Sequence, residues 1–168
     1  EQHLDTAASL TAIGQLYLAQ QKYNDAYDVL KRALDVREKR LGATHHDVGV
    51  TLAALAWAEL MLEFYQDADD HAKRALKIQE GESGQEDPGL TQTLYVLGRT
   101  GEKLEKILAA EECYRRGLAI REKADGPMHK SLLPFLRGLA DVLRAQDKQL
   151  DAVEYQKRMR AIEEKNNL

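Results

Sequence analysis

The chain has 168 residues, 43% of them hydrophobic and 31% charged, which excludes a disordered segment and allows one domain with a sizeable core. A formal net charge of −4 argues against nucleic acid or an anionic membrane surface as the main partner. A single cysteine, Cys113, rules out an internal disulfide and favours a reduced, intracellular setting; no signal peptide or membrane-length apolar stretch is found.

In chain order, the first element carries Leu10, Ile13, Gly14 and Tyr17 at helical spacing, widened by Leu16 and Leu18. A turn around Gln20 to Asn24 follows. Ala26, Leu30, Ala33, Leu34 and Val36 then mark a second amphipathic helix, which Gly42 is expected to end by adopting a left-handed conformation. The pattern then returns every 42 residues: Leu52, Leu94 and Leu136 follow Leu10, and Ala68, Ala110 and Ala152 follow Ala26. Gly84 and Gly126 repeat the punctuation of Gly42, and polar connectors follow at Ala43–His46, Gln85–Pro88 and Pro127–Lys130. With no alternating β-branched runs, the chain reads as all-α, about eight helices in four helical hairpins. Small residues form rows where helices meet: Gly14, Ala56, Gly98 and Ala140 on the first helices, and Ala26, Ala68, Ala110 and Ala152 on the second. A third row, Ala33, Ala75 and Gly117, is broken by Met159, and Ala68→Leu is expected to overpack by about 1–3 kcal/mol.

These residues resemble the tetratricopeptide repeat, in the 42-residue form found in kinesin light chains and their relatives. The likeness rests on Leu10, Ile13, Gly14, Tyr17, Ala26 and Ala33, and on the strings Lys31-Arg32-Ala33-Leu34, Lys73-Arg74-Ala75-Leu76 and Arg115-Arg116-Gly117-Leu118. It implies a right-handed superhelical solenoid formed as one array over residues 1–168, with repeats at about 5–44, 45–86, 87–128 and 129–168. His3-Leu4-Asp5 lies 42 residues before His45-His46-Asp47, from which the parent protein is expected to continue upstream. Gln156 and Arg160, at the positions of Leu30 and Leu34, suggest a closing repeat with a polar outer face. In the light-chain pattern an asparagine of the first helix holds the peptide backbone. Here those slots hold Ala12, Ala54, Val96 and Gly138. The scaffold carries over; light-chain function does not.

No catalytic constellation is legible, so no enzymatic activity, cofactor or metal is expected. Cys113 reads as a buried structural thiol. The position shared by His3, His45, Asp87 and His129 reads as a connector or cap rather than a ligand. Asp69-Asp70 and Glu111-Glu112 read as exposed helix faces. If Leu10, Ile13, Gly14 and Tyr17 face the core, the opposite side of the first helix presents Ala8, Thr11, Ala12, Gln15 and Ala19. The register then places Val50, Ala53, Ala54, Trp57 and Met61 on that side in the second repeat. Gln92, Tyr95, Val96, Arg99 and Lys103 follow in the third, and Arg137, Gly138 and Asp141, with Arg144 at the edge, in the fourth.

By the resemblance, these sides line a concave groove for an extended peptide. The candidate groove residues are Gln15, Trp57, Met61, Tyr95, Arg99, Lys103, Arg137, Asp141 and Arg144: an apolar centre and a basic end. Tryptophan, tyrosine and arginine dominate interface energies, and arginine suits carboxylates. The charge balance agrees, with net −5 over residues 1–84 and net +1 over residues 85–168. The expected function is a protein-binding adaptor or scaffold module for a partner with acidic and bulky apolar residues. Two alternatives stand beside it: a homo-oligomeric, self-associating structural module, and a regulatory or recruitment domain of a larger enzyme or signalling protein. Two bland readings also stand: Trp57 buried between repeats, and Arg99 and Arg137 paired with Glu102 and Asp141 on a solvated surface.

Overall fold

The computed structural model describes residues 2–166. It falls into two compact units, Glu1–Gln85 and Glu86–Leu168. The first holds α1 (Gln2–Ala19), α2 (Tyr23–Leu41), α3 (His46–Met61) and α4 (Tyr65–Ser83); the second holds α5 (Thr91–Lys103), α6 (Ile107–Asp125), α7 (Leu133–Ala145) and α8 (Gln149–Asn166). Short 3-10 turns, Pro88–Leu90 and Lys130–Leu132, lead into α5 and α7. No strand occurs among the described residues.

Local chemistry explains the punctuation. Gly42, Gly84 and Gly126 close α2, α4 and α6 with φ near 87°, 83° and 89°, a conformation that costs a glycine little. At 45, 87 and 129 the shared connector position is a cap, whereas His3 lies inside α1. The His45 side chain accepts from the Asp47 amide, Asp87 from that of Gly89, and His129 from that of Ser131. Inside each hairpin the reversal is made by a non-glycine left-handed residue, Gln21, Glu63, Glu105 or Asp147, again 42 residues apart.

In the first unit, Leu30, Leu34, Val48, Leu52, Leu55 and Ala58 form the core, with Tyr17 and Ile78 against it. Gly14 lies under Leu30: a Cβ there would come within 2.5 Å of the Leu30 side chain. In the second unit the core is Tyr114, Leu118, Leu132, Phe135, Leu136, Leu139 and Ile162. Ala26, Ala68, Ala110 and Ala152 are all buried, as close helix approach requires.

Several expectations need correction. Ile13, read as core, is 41% exposed, and Leu16 is exposed too, whereas their counterparts' stripe is covered: Leu55 and Leu139 are 1% and 0% exposed. The reason is packing: α2 lies on α3 and α6 on α7, while among the described residues α1 contacts only α2 and α3. Thr11, Ala54, Val96 and Gly138, read as groove-facing, are buried because first helices touch along that side; Thr11 Oγ1 is 3.5 Å from Thr51 Oγ1. Asp69 is buried, with Lys73 Nζ 2.8 Å from its carboxylate, and is not part of an exposed acidic face. Glu111 is half-buried beneath Arg115 and Gln146. Cys113 is half-buried rather than enclosed.

Candidate partner-binding faces

In the second unit the site grows from the way Tyr114 is seated. Tyr114 is fully buried and fills the gap between α5 and α7, its ring occupying the space a Cβ would need at both Gly98 and Gly138. Its hydroxyl projects past the glycines and donates to the Glu102 carboxylate on α5. Burial, reinforced by that carboxylate, pushes the Tyr114 hydroxyl well above the ordinary tyrosine range, so it stays a donor. Burial likewise raises the Glu102 carboxyl, against the opposing pull of Tyr114 and Arg99.

Glu102 in turn lies 3.8 Å from Arg99 Nε, while Arg99 Nη1 donates to the Tyr95 hydroxyl at 3.2 Å. The Tyr95 ring is half-buried and meets Phe135 edge-on, with centroids 6.0 Å apart. Arg99 is thus presented at the surface by a tyrosine, with its carboxylate neighbour only loosely engaged.

Along α7, Arg144 Nη1 bonds Asp141 Oδ1 at 2.7 Å. Of the alternative pairings, Arg99 with Glu102 is therefore present, whereas Asp141 pairs with Arg144 and not with Arg137. Exposed Arg137 has no hydrogen-bond or ion-pair partner among the described residues. Lys103 is exposed at the end of α5. The structure therefore brings Tyr95, Arg99, Lys103, Arg137, Asp141 and Arg144 onto the first helices of one unit, where cations outnumber the carboxylates of Glu102 and Asp141.

The remaining candidates belong to the first unit. Trp57 is half-buried on α3, Met61 is exposed at the end of that helix, and Gln15 is exposed on α1. They make a small-residue and apolar face beside exposed Ala8 and Ala12.

Sequence reasoning missed the anchoring role of Tyr114. The signal was present: Tyr114 occupies the repeat position of Leu30 and Ala72, and glycines stand at 98 and 138 on the flanking first helices. It also missed Glu59, 2% exposed, whose oxygens lie 2.8 and 3.0 Å from His71 Nδ1. Arg37, buried, donates to the Asp47 carbonyl at 2.9 Å and to Thr51 Oγ1 at 2.6 Å.

Hairpins of this length, with glycine-closed second helices and small-residue rows, define a helical-repeat scaffold. Tetratricopeptide repeat models match residues 5–81 and 91–123, and the chain belongs to the tetratricopeptide repeat family. Among solved structures it is similar to BtubC (BKLC) from P. vanneervenii, with TM-score 0.83 and 19% identity over 96% of this chain and 64% of that one. It is also similar to a kinesin-light-chain-type protein of nearly identical TPR-like repeats from Podosopora anserina: TM-score 0.76, 23% identity, 96% of this chain and 76% of that one. The apo form of RapI gives TM-score 0.81 and 19% identity over 98% of this chain and 58% of that one. The chain thus spans less than two thirds of BtubC and of RapI. No curated protein matches by sequence. At these identities the likeness establishes the fold alone, an all-α helical repeat. No helix among the described residues is long and apolar enough to cross a membrane.

Proposed function

We propose that this chain is an adaptor module whose second unit binds an acidic segment of a partner protein on the first-helix face of α5 and α7. The observation that supports this most is Arg137, an exposed guanidinium with no partner among the described residues, on the same unit as Arg99, which hydrogen-bonds Tyr95. A planar cation left without a carboxylate is suited to receive one in two parallel hydrogen bonds. In the first unit, taken by itself, Trp57 and Met61 offer a surface for a bulky apolar residue.

A fluorescein-labelled peptide with a tryptophan followed by three glutamates tests the reading by anisotropy. Affinity falls about tenfold or more in Arg137→Glu and weakens as salt rises, while helicity and melting stay unchanged. Equal affinity for the wild-type chain and Arg137→Glu refutes the reading.

A second reading, self-association, draws support from Ile13 and Leu16 on α1, apolar and exposed where the matching residues of other hairpins are buried. Sedimentation across the micromolar range tests it: concentration-dependent mass supports association, and a constant monomer refutes it.

A further inference from the structure

A surface wholly within the first unit carries its own chemistry. A cavity of about 520 Å³ lies between the connector after α2 and the C-terminal half of α4, lined by Ala43, Thr44, Arg74, Lys77, Ile78, Gly81 and Glu82. Its floor is firm. Ile78 is half-buried against the first core, and the glycine at 49 lets α3 press so close that a Cβ there would lie 2.8 Å from the Ile78 side chain.

Gly81 is the unexplained residue. It sits inside α4, where glycine weakens a helix, and a Cβ at this position would meet nothing within 4 Å. No turn, left-handed φ or close approach requires it: the left-handed glycine of this helix end is Gly84. The other three repeats place lysine at the same position, as Lys39, Lys123 and Lys165. Glycine at 81 therefore brings no packing benefit to the fold, and it leaves open a space that a lysine would enter.

The charges around that space are unevenly used. Glu82 is engaged by His46 and Arg74 by Glu38. Lys77, exposed, has no hydrogen-bond or ion-pair partner among the described residues. The cavity thus presents an aliphatic floor beside one uncommitted ammonium and a guanidinium with a single carboxylate.

We propose that this cavity is a second protein-binding site, taking an aliphatic side chain adjoining a carboxylate from a partner segment. The aliphatic group packs on Ile78 and Ala43, and the carboxylate accepts from Lys77.

The probe is acetyl-Leu-Asp-amide, titrated into the ¹⁵N-labelled chain, with acetyl-Leu-Asn-amide as the uncharged control. The expected result is saturable shifts of the Ala43, Thr44 and Gly81 amides with the acidic probe, at a dissociation constant on the order of a millimolar. The Asn probe gives at least threefold weaker binding. Gly81→Ala, which adds only a methyl in open space, raises the melting temperature by about 2 °C and keeps binding. Gly81→Lys also raises it but loses the shifts, and Lys77→Glu loses them at unchanged melting. Absence of saturable shifts in the wild-type chain, equal binding of the two probes, or full binding by Gly81→Lys overturns the proposal.

Discussion

The two units are built on one repeat but solve the same packing problem with different chemistry. At the shared second-helix position, the first unit places Leu30 under Gly14 and the second places Tyr114 between Gly98 and Gly138. The leucine ends in methyl groups and closes a dry gap. The tyrosine fills a wider gap and delivers a hydroxyl to Glu102, beside Arg99. The polar connection that reaches the first-helix surface in the second unit has no counterpart at Leu30. In the first unit the buried polarity lies elsewhere, in Glu59 against His71. One scaffold thus fills the same position with an apolar contact in one unit and with a polar connection to Glu102 and Arg99 in the other.

The largest expected effect tests that seating. Tyr114→Ala removes a wholly buried aromatic side chain and should cost about 3–5 kcal/mol in denaturant unfolding, as aromatic truncations in cores do. Leu30→Ala, its counterpart, should cost about 2–4 kcal/mol. A smaller loss at Tyr114 than at Leu30 would break the contrast.

Next come the glycines. Gly98→Ala drives a methyl into a Tyr114 ring already backed by Gly138, so the ring has nowhere to yield; the expected loss is about 1–3 kcal/mol. Gly14→Ala meets only the branched end of Leu30, which has rotamers to move into, and should lose less. Comparing the two urea midpoints at equal slope checks the order.

His71→Ala strips Glu59 of its partner while leaving it buried, with an expected loss of about 1–3 kcal/mol, confined to the first unit. Amide exchange that rises in α3 and α4 but not in α6 and α7 would confirm it; equal change in both units would refute it.

The smallest effect is the pH dependence of Glu102. Burial holds its carboxyl above the ordinary value of 4.5, so the native state binds the proton more tightly than the unfolded chain. That contribution is fully present below the ordinary carboxylate range and is lost as pH rises through the raised value. Glu102→Gln keeps an acceptor for Tyr114 and removes the titration. Its urea midpoint relative to wild type should therefore rise as pH goes from about 4 to 7; a flat or falling difference contradicts the assignment.

Much of this was legible in the residues. The four hairpins, their glycine stops and the capping role at 45, 87 and 129 all follow from a 42-residue register, because backbone geometry repeats when sequence does. What the register conceals is covering. Ile13 and Leu139 are equivalent in sequence, yet one is exposed and the other enclosed, since burial depends on which helix lies outside. Faces were misassigned for a related reason: first helices touch one another, so Thr11 and Val96 lie in a seam rather than on a wall. Arg99 was legible as a basic residue on the right helix and as a partner of Glu102, but its hydrogen bond to Tyr95 and the seating of Glu102 against Tyr114 were not. That seating depends on Tyr114, whose neighbours in space lie 16 and 24 residues away at Gly98 and Gly138.

The most direct measurement compares one substitution to glutamate in each unit, at Arg137 and at Gln15, both exposed first-helix positions. With the tryptophan–triglutamate peptide, Arg137→Glu should weaken binding about tenfold or more, and Gln15→Glu by less than threefold, with both variants melting as the wild type does. Equal losses at the two positions, or none at Arg137, would contradict the assignment of acidic recognition to the second unit.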